Sequence, residues 1–482
     1  MIKLSDFVLD RSQDSNKIFL DIKEFIDIFS DQKENKQKLN KFASLVNIPA
    51  ELISLKFKRL IYGQFNPSKS KFILNNSIVM IFFYFILSLI YLLFLKIFGL
   101  RKIKNVMHFD VIIENVDTVN TFYRFEKLLN MFKNVLIISK NPKIIEKFKS
   151  DKLYIVKSRN FVPHKKFIDN KFKNFLFFFF LLFLTSIKSR QNLSKIFLII
   201  FYTVSKSETI FNKYKGKILL QDRYYLSCPI KDFIFKKLEG KVVSFPQLHL
   251  AESGILLFCY VDNLLTFGDE VNTKKKMEIF GSKVKSTFPV GSLSMELNFY
   301  RKKNEPELLN DIDLLIIGIN PSHWIQVSDR IFENYYLYLN WMKRFSEENR
   351  NLNIVYKHHE TFIGDDLEKE ILNDTNIKIV SKDPHNKSYS YLNKAKTNIS
   401  YGSSMVLESF GLNKKSFFVD PNHAASTFYS YHEYNESLFL RTYNKFSSTI
   451  KKSLIEKENN FDSKICLRSD RTSENIYNYL KK

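Results

Sequence analysis

Four short stretches of this 482-residue chain carry side chains able to do chemistry. In SFPQLHLAES, His249 ends an apolar run and Glu252 follows three residues on. A histidine at a strand end can act as a general base near neutral pH, or contact phosphate. In TFPVGSLSME, residues 287–296, Gly291 follows a short apolar strand and lets backbone amides approach a ligand. YKHHE places His358 and His359 at the end of another strand. Successive strand side chains face opposite ways, so one histidine can enter a cleft while the other packs. Adjacent histidines chelate one ion poorly and no ligand stands at helical spacing, so no metal is expected. The fourth stretch, ISYGSSMVLESFGL, runs from a strand into Gly402, Ser403 and Ser404, with Glu408 four residues after Ser404. Serines there can cap a helix, and a helix N-terminus offers N–H groups and partial positive charge suited to a diphosphate. Glu408, one turn along the same face, can accept hydrogen bonds from ribose or sugar hydroxyls. The stretch is neither a GxxxxGK nor a GxGxxG loop.

These stretches need strands to hold them, and the hydrophobic pattern supplies two runs of alternating strand and helix. The first contains apolar strands at 105–115, 134–139, 152–156, 216–222 and 241–250, the last ending in His249. Between them TVNTFYRFEKLLNMFK reads as a helix with Phe122, Phe125, Leu128 and Leu129 on one face. The second run has strands at 313–320, 353–359, 377–382, 397–402 and 415–421. Strands alternating with helices give parallel α/β layers, and ligands then bind at the carboxyl ends of the strands. The expected organisation is a helical region over 1–70, an apolar helix over 71–104 and a Rossmann-like domain over 105–298. A linker over 299–312, a second Rossmann-like domain over 313–440 and C-terminal helices over 441–482 complete it.

Two segments are more apolar than a soluble domain requires. Residues 78–95 carry no charge and would make a helix about 27 Å long, near the ~30 Å of a hydrocarbon core. Lysines and arginines flank them, which suits a membrane-spanning or interfacial helix. Residues 175–187 are short for a span, and with 196–204 they suit helices dipping into an interface. The formal charge of +24 is spread along the chain with no nucleic-acid motif, so an anionic membrane rather than nucleic acid is the expected partner. Cys228, Cys259 and Cys466 are too few and too far apart for a disulfide frame, which fits a reducing compartment. The N-terminus has no uninterrupted apolar core, so a cleavable signal peptide is not expected.

Together the motifs resemble GT-B glycosyltransferases of bacterial surface-polysaccharide synthesis and the related glycerophosphotransferases of teichoic acid synthesis. Gln247 and His249 in QLH match a Gln-His-Gly motif without its glycine, TFPVGS matches a strand leading to glycine, and YKHHE matches a histidine strand end. YGSSMVLESFGLNKKSFFVDP is the best match. The resemblance covers about residues 105–460 and implies two doubly wound domains facing across a cleft. It implies His249 as the catalytic base for the acceptor hydroxyl or as a contact to the leaving phosphate. It implies Gly402, Ser403, Ser404, Glu408, His358 and His359 around the donor, with Gly291 and Glu252 as further cleft residues. The expected partners are a nucleotide-sugar donor, a polysaccharide or lipid-linked acceptor and the membrane, on the cytoplasmic face of a bacterial inner membrane. No cofactor beyond the nucleotide-activated sugar as co-substrate is implied. A CDP-linked polyol phosphate donor, or a non-catalytic scaffold in a polysaccharide assembly complex, are the alternatives.

Overall fold

The computed structural model describes residues 10–481 apart from 11, 14, 64–76, 100–104, 145, 149, 158–165, 223–226, 246–257, 269–277, 279–280, 303–311, 321–328, 360–361, 363, 381–387, 424–435 and 457–462. Three helices come first: α1 (Ser15–Asp31), α2 (Lys33–Val46) and α3 (Ala50–Tyr62). In α1, Ile18, Ile22, Phe25, Ile26 and Phe29 are buried at helical spacing, facing the other two. The bundle does not stand alone. Phe42 of α2 and Phe57 of α3 both pack against Phe197, a residue inside the next domain.

The first sheet has seven parallel strands in the order β3-β2-β1-β4-β5-β6-β7. They are β1 (Met107–Glu114), β2 (Val135–Ser139), β3 (Leu153–Lys157), β4 (Tyr214–Gln221), β5 (Lys241–Ser244), β6 (Tyr260–Thr266) and β7 (Lys283–Pro289). Apolar β1, β2 and β4 are buried along most of their length, as strands covered on both faces must be. The expected strand over 241–250 is not the last of its domain, because β6 and β7 follow. Their sequences, YVDNLLT and KVKSTFP, mix polar with apolar residues, and β7 is an edge strand. Helix α5 (Val119–Leu129) follows β1, capped by the Thr118 hydroxyl accepting from the Thr121 amide at 3.1 Å. It buries the four apolar residues expected of it.

The apolar segments form α4 (Ile78–Phe98), α6 (Phe172–Ser189) and α7 (Leu193–Lys213). Residues 196–204 do not dip into an interface. Ile196, Phe197, Ile200, Phe201 and Val204 of α7 are all buried, under α3 on one side and α4 and α6 on the other. Helices α4 and α6 are the two, among the described residues, long and apolar enough to cross a membrane. Helix α8 (Pro229–Lys237) links β4 to β5.

Helix α9 (Leu293–Lys302) continues into the first part of the expected linker, and residues 303–311 lie outside the described residues. The second sheet has six parallel strands in the order β10-β9-β8-β11-β12-β13. They are β8 (Ile312–Ile317), β9 (Ile354–Lys357), β10 (Lys378–Val380), β11 (Ala395–Ser400), β12 (Lys415–Val419) and β13 (Phe439–Leu440). Its helices include α10 (Arg330–Glu348), α11 (Asp366–Leu372), α12 (Ser388–Lys394) and α13 (Met405–Glu408). After α14 (Tyr443–Ile455) the chain crosses back. Helix α15 (Thr472–Lys481) packs on the first domain, with Tyr479 stacked on Phe288 at 3.9 Å and Tyr477 edge-on to Phe132. The architecture is therefore two doubly wound α/β domains, with the last helix belonging in space to the first. The order of strands reverses between β1 and β4, and again between β8 and β11, which places one ligand crevice on each sheet.

Candidate functional site

Chain direction puts the end of β11 at the reversal point of the second sheet, where Gly402, Ser403 and Ser404 follow. The turn is held from within the strand. The Ser400 hydroxyl donates to the Ile317 carbonyl at 2.8 Å, bridging to β8. It accepts from the amides of Gly402 at 3.3 Å and Ser403 at 3.1 Å. The Ser403 hydroxyl accepts from the Met405 amide at 3.3 Å. The helix expected after this turn has one turn only, α13, and continues as a 3-10 turn over Ser409–Leu412. Ser404 stands at its start in helical geometry and makes no capping bond; its hydroxyl points to Glu408 at 3.4 Å. Gly411, in the 3-10 turn, lies against Leu467 and Ser469 of the crossing segment, where a Cβ would meet the Leu467 carbonyl oxygen at 2.7 Å.

Glu408 points into the contact between the domains and is 1% exposed. It accepts from the hydroxyl of Ser292, which also caps α9 by accepting from the Met295 amide. The Tyr389 hydroxyl of α12 donates to both of its oxygens, each at 3.2 Å. Burial pushes the Glu408 carboxyl up to about 7, against the hydrogen bonds of Ser292 and Tyr389 and the positive charge of Arg124, which pull it down. Arg124 comes from α5 of the first domain and is ion-paired, buried, with Asp222 just beyond β4. One cluster thus joins the carboxyl ends of the first sheet to the turn after β11.

Gly291 adopts φ +90°, and a Cβ there would meet Thr472 Oγ1 at 2.8 Å. The close approach it permits is to the chain's own crossing segment, where the Ser292 amide donates to Ser469 Oγ at 3.1 Å. His358 and His359 follow the end of β9 and differ in burial. His358 is buried, with Nε2 at 2.8 Å from Glu368 Oε1. Glu368 also accepts from Tyr335 at 2.6 Å, and Tyr335 meets the Tyr356 hydroxyl at 2.8 Å. This polar knot sits inside the second domain, and its Tyr335 ring packs on Tyr401, the residue before Gly402, with centres 5.9 Å apart. His359 is half-buried and bridges to Phe362. His249 and Glu252 lie outside the described residues.

The structure therefore brings Gly402, Ser403, Ser404, Glu408 and the Gly291–Ser292 turn together, and ties His358 to Glu368 within the second domain. Sequence reasoning missed Ser400, Ser292, Tyr389, Arg124 and Asp222. Only Ser292 had a signal, as the residue after the glycine already singled out. No group of three or more His, Cys, Asp or Glu side chains converges as a metal site among the described residues. A cavity of about 480 Å³ opens elsewhere, beside β2 and β3, lined by Lys143, Lys157 and Lys213 among others.

No protein-family model matches the sequence, and no curated protein matches it. Among solved structures, the chain is similar to Staphylococcus aureus MnaA in complex with UDP, at 10% identity over 77% of this chain and 96% of that one, with a TM-score of 0.49. It is similar to the UDP-GlcNAc 2-epimerase of Methanocaldococcus jannaschii, at 12% identity over 78% and 99% of the two chains, TM-score 0.48. It is also similar to the wall teichoic acid polymerase TagF, at 11% identity over 79% and 90%, TM-score 0.42. All three scores fall below 0.5, so the functional conclusion rests on the chain's own residues.

Proposed function

We propose that this chain is a membrane-associated glycosyltransferase that moves a sugar from a nucleotide-activated donor to a surface polysaccharide or its lipid-linked precursor. One observation carries the proposal: the carboxyl ends of two doubly wound sheets meet at Glu408, with a glycine-serine turn beside it. In such sheets that is where phosphate-bearing ligands sit. The donor diphosphate would lie at the turn after β11. Its oxygens would replace the Ser400 hydroxyl as acceptor for the Gly402 and Ser403 amides, with Ser403 and Ser404 hydroxyls as further donors. His359, half-buried just beyond β9, would contact the donor. Glu408 is held by Ser292 and Tyr389, so its part is to tie the loaded turn to the first domain. His249 would accept the proton of the acceptor hydroxyl as it attacks the anomeric carbon, while the nucleotide phosphate leaves. Backbone donors at the turn would stabilise the leaving charge. The basic surface and the apolar helices would hold the protein at the cytoplasmic face of the inner membrane.

Calorimetry against UDP, CDP and CMP, followed by product analysis with the matching donors, tests this. Binding of one of them is expected, lost in Gly402→Val. His249→Ala should bind it equally well and transfer at least about 100-fold more slowly. Transfer from CDP-glycerol would change the group transferred and keep the site. Epimerisation of a UDP-sugar with no acceptor would overturn transfer. Failure to bind any nucleotide would leave a scaffold.

A further inference from the structure

Helices α4 and α6 leave one broad apolar face uncovered. They pack antiparallel: Phe85 stacks on Phe183 at 4.3 Å, and Lys96, near the end of α4, lies over the ring of Phe172 at the start of α6. Their inner sides bury Leu92, Leu95, Phe178 and Phe179. Their outer sides expose Phe83 at 51%, Ile90 at 55% and Phe177 at 55%, with Phe94 and Phe180 beside them. Neither helix contains an Asp or Glu. Exposed Lys96, Lys173, Lys188 and Arg190 stand at the helix ends, with Lys41 of α2 alongside. An apolar face free of anions and rimmed by cations is complementary to a bilayer carrying anionic headgroups.

How the chain enters and leaves α4 decides how that face meets the bilayer. Before α4 comes the α1–α3 bundle, after it the first sheet, and both belong to one packed body. Arg59 of α3 donates to the Ser227 carbonyl, Glu51 pairs with Lys283 at 2.6 Å, and Tyr62 packs on Phe258. A helix crossing the membrane would part these by about 30 Å. Helix α6 is constrained in the same way. Lys171 at its start donates to the Leu45 carbonyl at 2.8 Å, and Lys41 lies 4.7 Å from the centre of the Phe177 ring. The flanking helix, KENKQKLNKFASLV, carries a charged outer surface that hydrocarbon would not admit. We propose that α4 and α6 lie in the plane of the membrane, inserted from one side into one leaflet containing anionic lipid, and that neither crosses it. This rests on the membrane part of the proposed function and not on its chemistry.

The test uses the full chain. It should float with phosphatidylcholine vesicles that contain phosphatidylglycerol, and less well with phosphatidylcholine alone. Phe83→Asp with Phe180→Asp should cut the bound fraction at least about tenfold. The milder pair Phe83→Gln and Phe177→Gln serves if circular dichroism shows the first misfolded. Both pairs should keep nucleotide binding. The native cysteines are buried, so Lys36→Cys on α2, Lys133→Cys between α4 and α6 and Lys451→Cys on α14 are labelled selectively by an impermeant maleimide. In-plane insertion predicts that all three label from the same side of the membrane. Labelling from opposite sides would overturn it, as would a chain that floats with neither vesicle. Loss of nucleotide binding with flotation intact would break the proposed chemistry alone.

Discussion

The two sheets reverse strand order in the same way, yet their crevices are furnished differently. At the end of β1 and β4 in the first domain the groups are charged. Glu114 pairs with Lys231, and Asp232 accepts from Gln221 and Ser227. Burial pushes the Asp232 carboxyl up to about 6, opposed by the neighbouring Lys231. Arg124 and Asp222 complete the set. At the end of β8 and β11 the turn is held by a hydroxyl, two amides and a carbonyl. Buried charges that already neutralise one another resist a ligand, because removing one partner strands the other. A hydroxyl accepting from two amides can be exchanged for a phosphate oxygen with no charge left behind. The second crevice is therefore the better place for the anionic part of a donor, and the first crevice the stiffer wall facing it.

The sharpest way to break this contrast is to remove a charge from the stiffer wall. Arg124→Met should destabilise the protein by about 3–5 kcal/mol, because Asp222 would stay buried without its cation. Urea denaturation followed by tryptophan fluorescence measures it. The double variant Arg124→Met, Asp222→Leu should recover most of the loss. If the single variant is as stable as the parent, the first crevice is not held by its charges.

Glu408 sits where the two crevices meet, and it provides the next largest effect. Its carboxyl is raised from 4.5 to about 7, so folding favours the protonated form. Its contribution is fully present below about pH 4.5 and is lost as pH rises through 7. That amounts to at most about 3 kcal/mol between those limits. Denaturation midpoints taken from pH 5 to 8 should fall with rising pH in the parent and fall less in Glu408→Gln, which cannot ionise. Identical slopes in the two proteins would show that Glu408 titrates normally and is not desolvated by the domain contact.

Much of the fold was legible because strong local signals agreed with it. The buried strands β1, β2, β4, β8 and β12 are short apolar runs, and α5 shows its buried face at helical spacing. β6 escaped notice, and β7 was seen only at its last residues before Gly291, because YVDNLLT and KVKSTFP carry Asp, Asn, Lys and Ser among their apolar residues. The site was legible only in part. Gly402 to Glu408 could be found because a strand, a glycine and two serines stand in a row. Their support could not. Ser292 meets Glu408 across 116 positions of sequence, and Asp222 meets Arg124 across 98. No local pattern reports such pairings. Ser400 was overlooked for another reason: the last residue of a strand reads as part of the strand, whereas its hydroxyl does the capping assigned to Ser403 and Ser404.

That substitution of roles leads to the smallest effect. Ser400→Ala removes one donor to the Ile317 carbonyl and one acceptor shared by two amides. The cost should be about 1–2 kcal/mol, since the group is buried and its partners lose a neutral hydrogen bond. If the diphosphate uses those same amides, bound nucleotide replaces what the mutation removed. Nucleotide at about 100 times its dissociation constant stabilises a protein by about 2.7 kcal/mol, so the variant should regain parental stability when loaded. Its affinity should rise by up to about fivefold, because the free variant lacks the acceptor that the nucleotide supplies. A drop beyond about tenfold would instead mean that the Ser400 hydroxyl itself holds the phosphate. The contrast between the crevices would then lie in the side chain at the strand end, not in the amides of the turn.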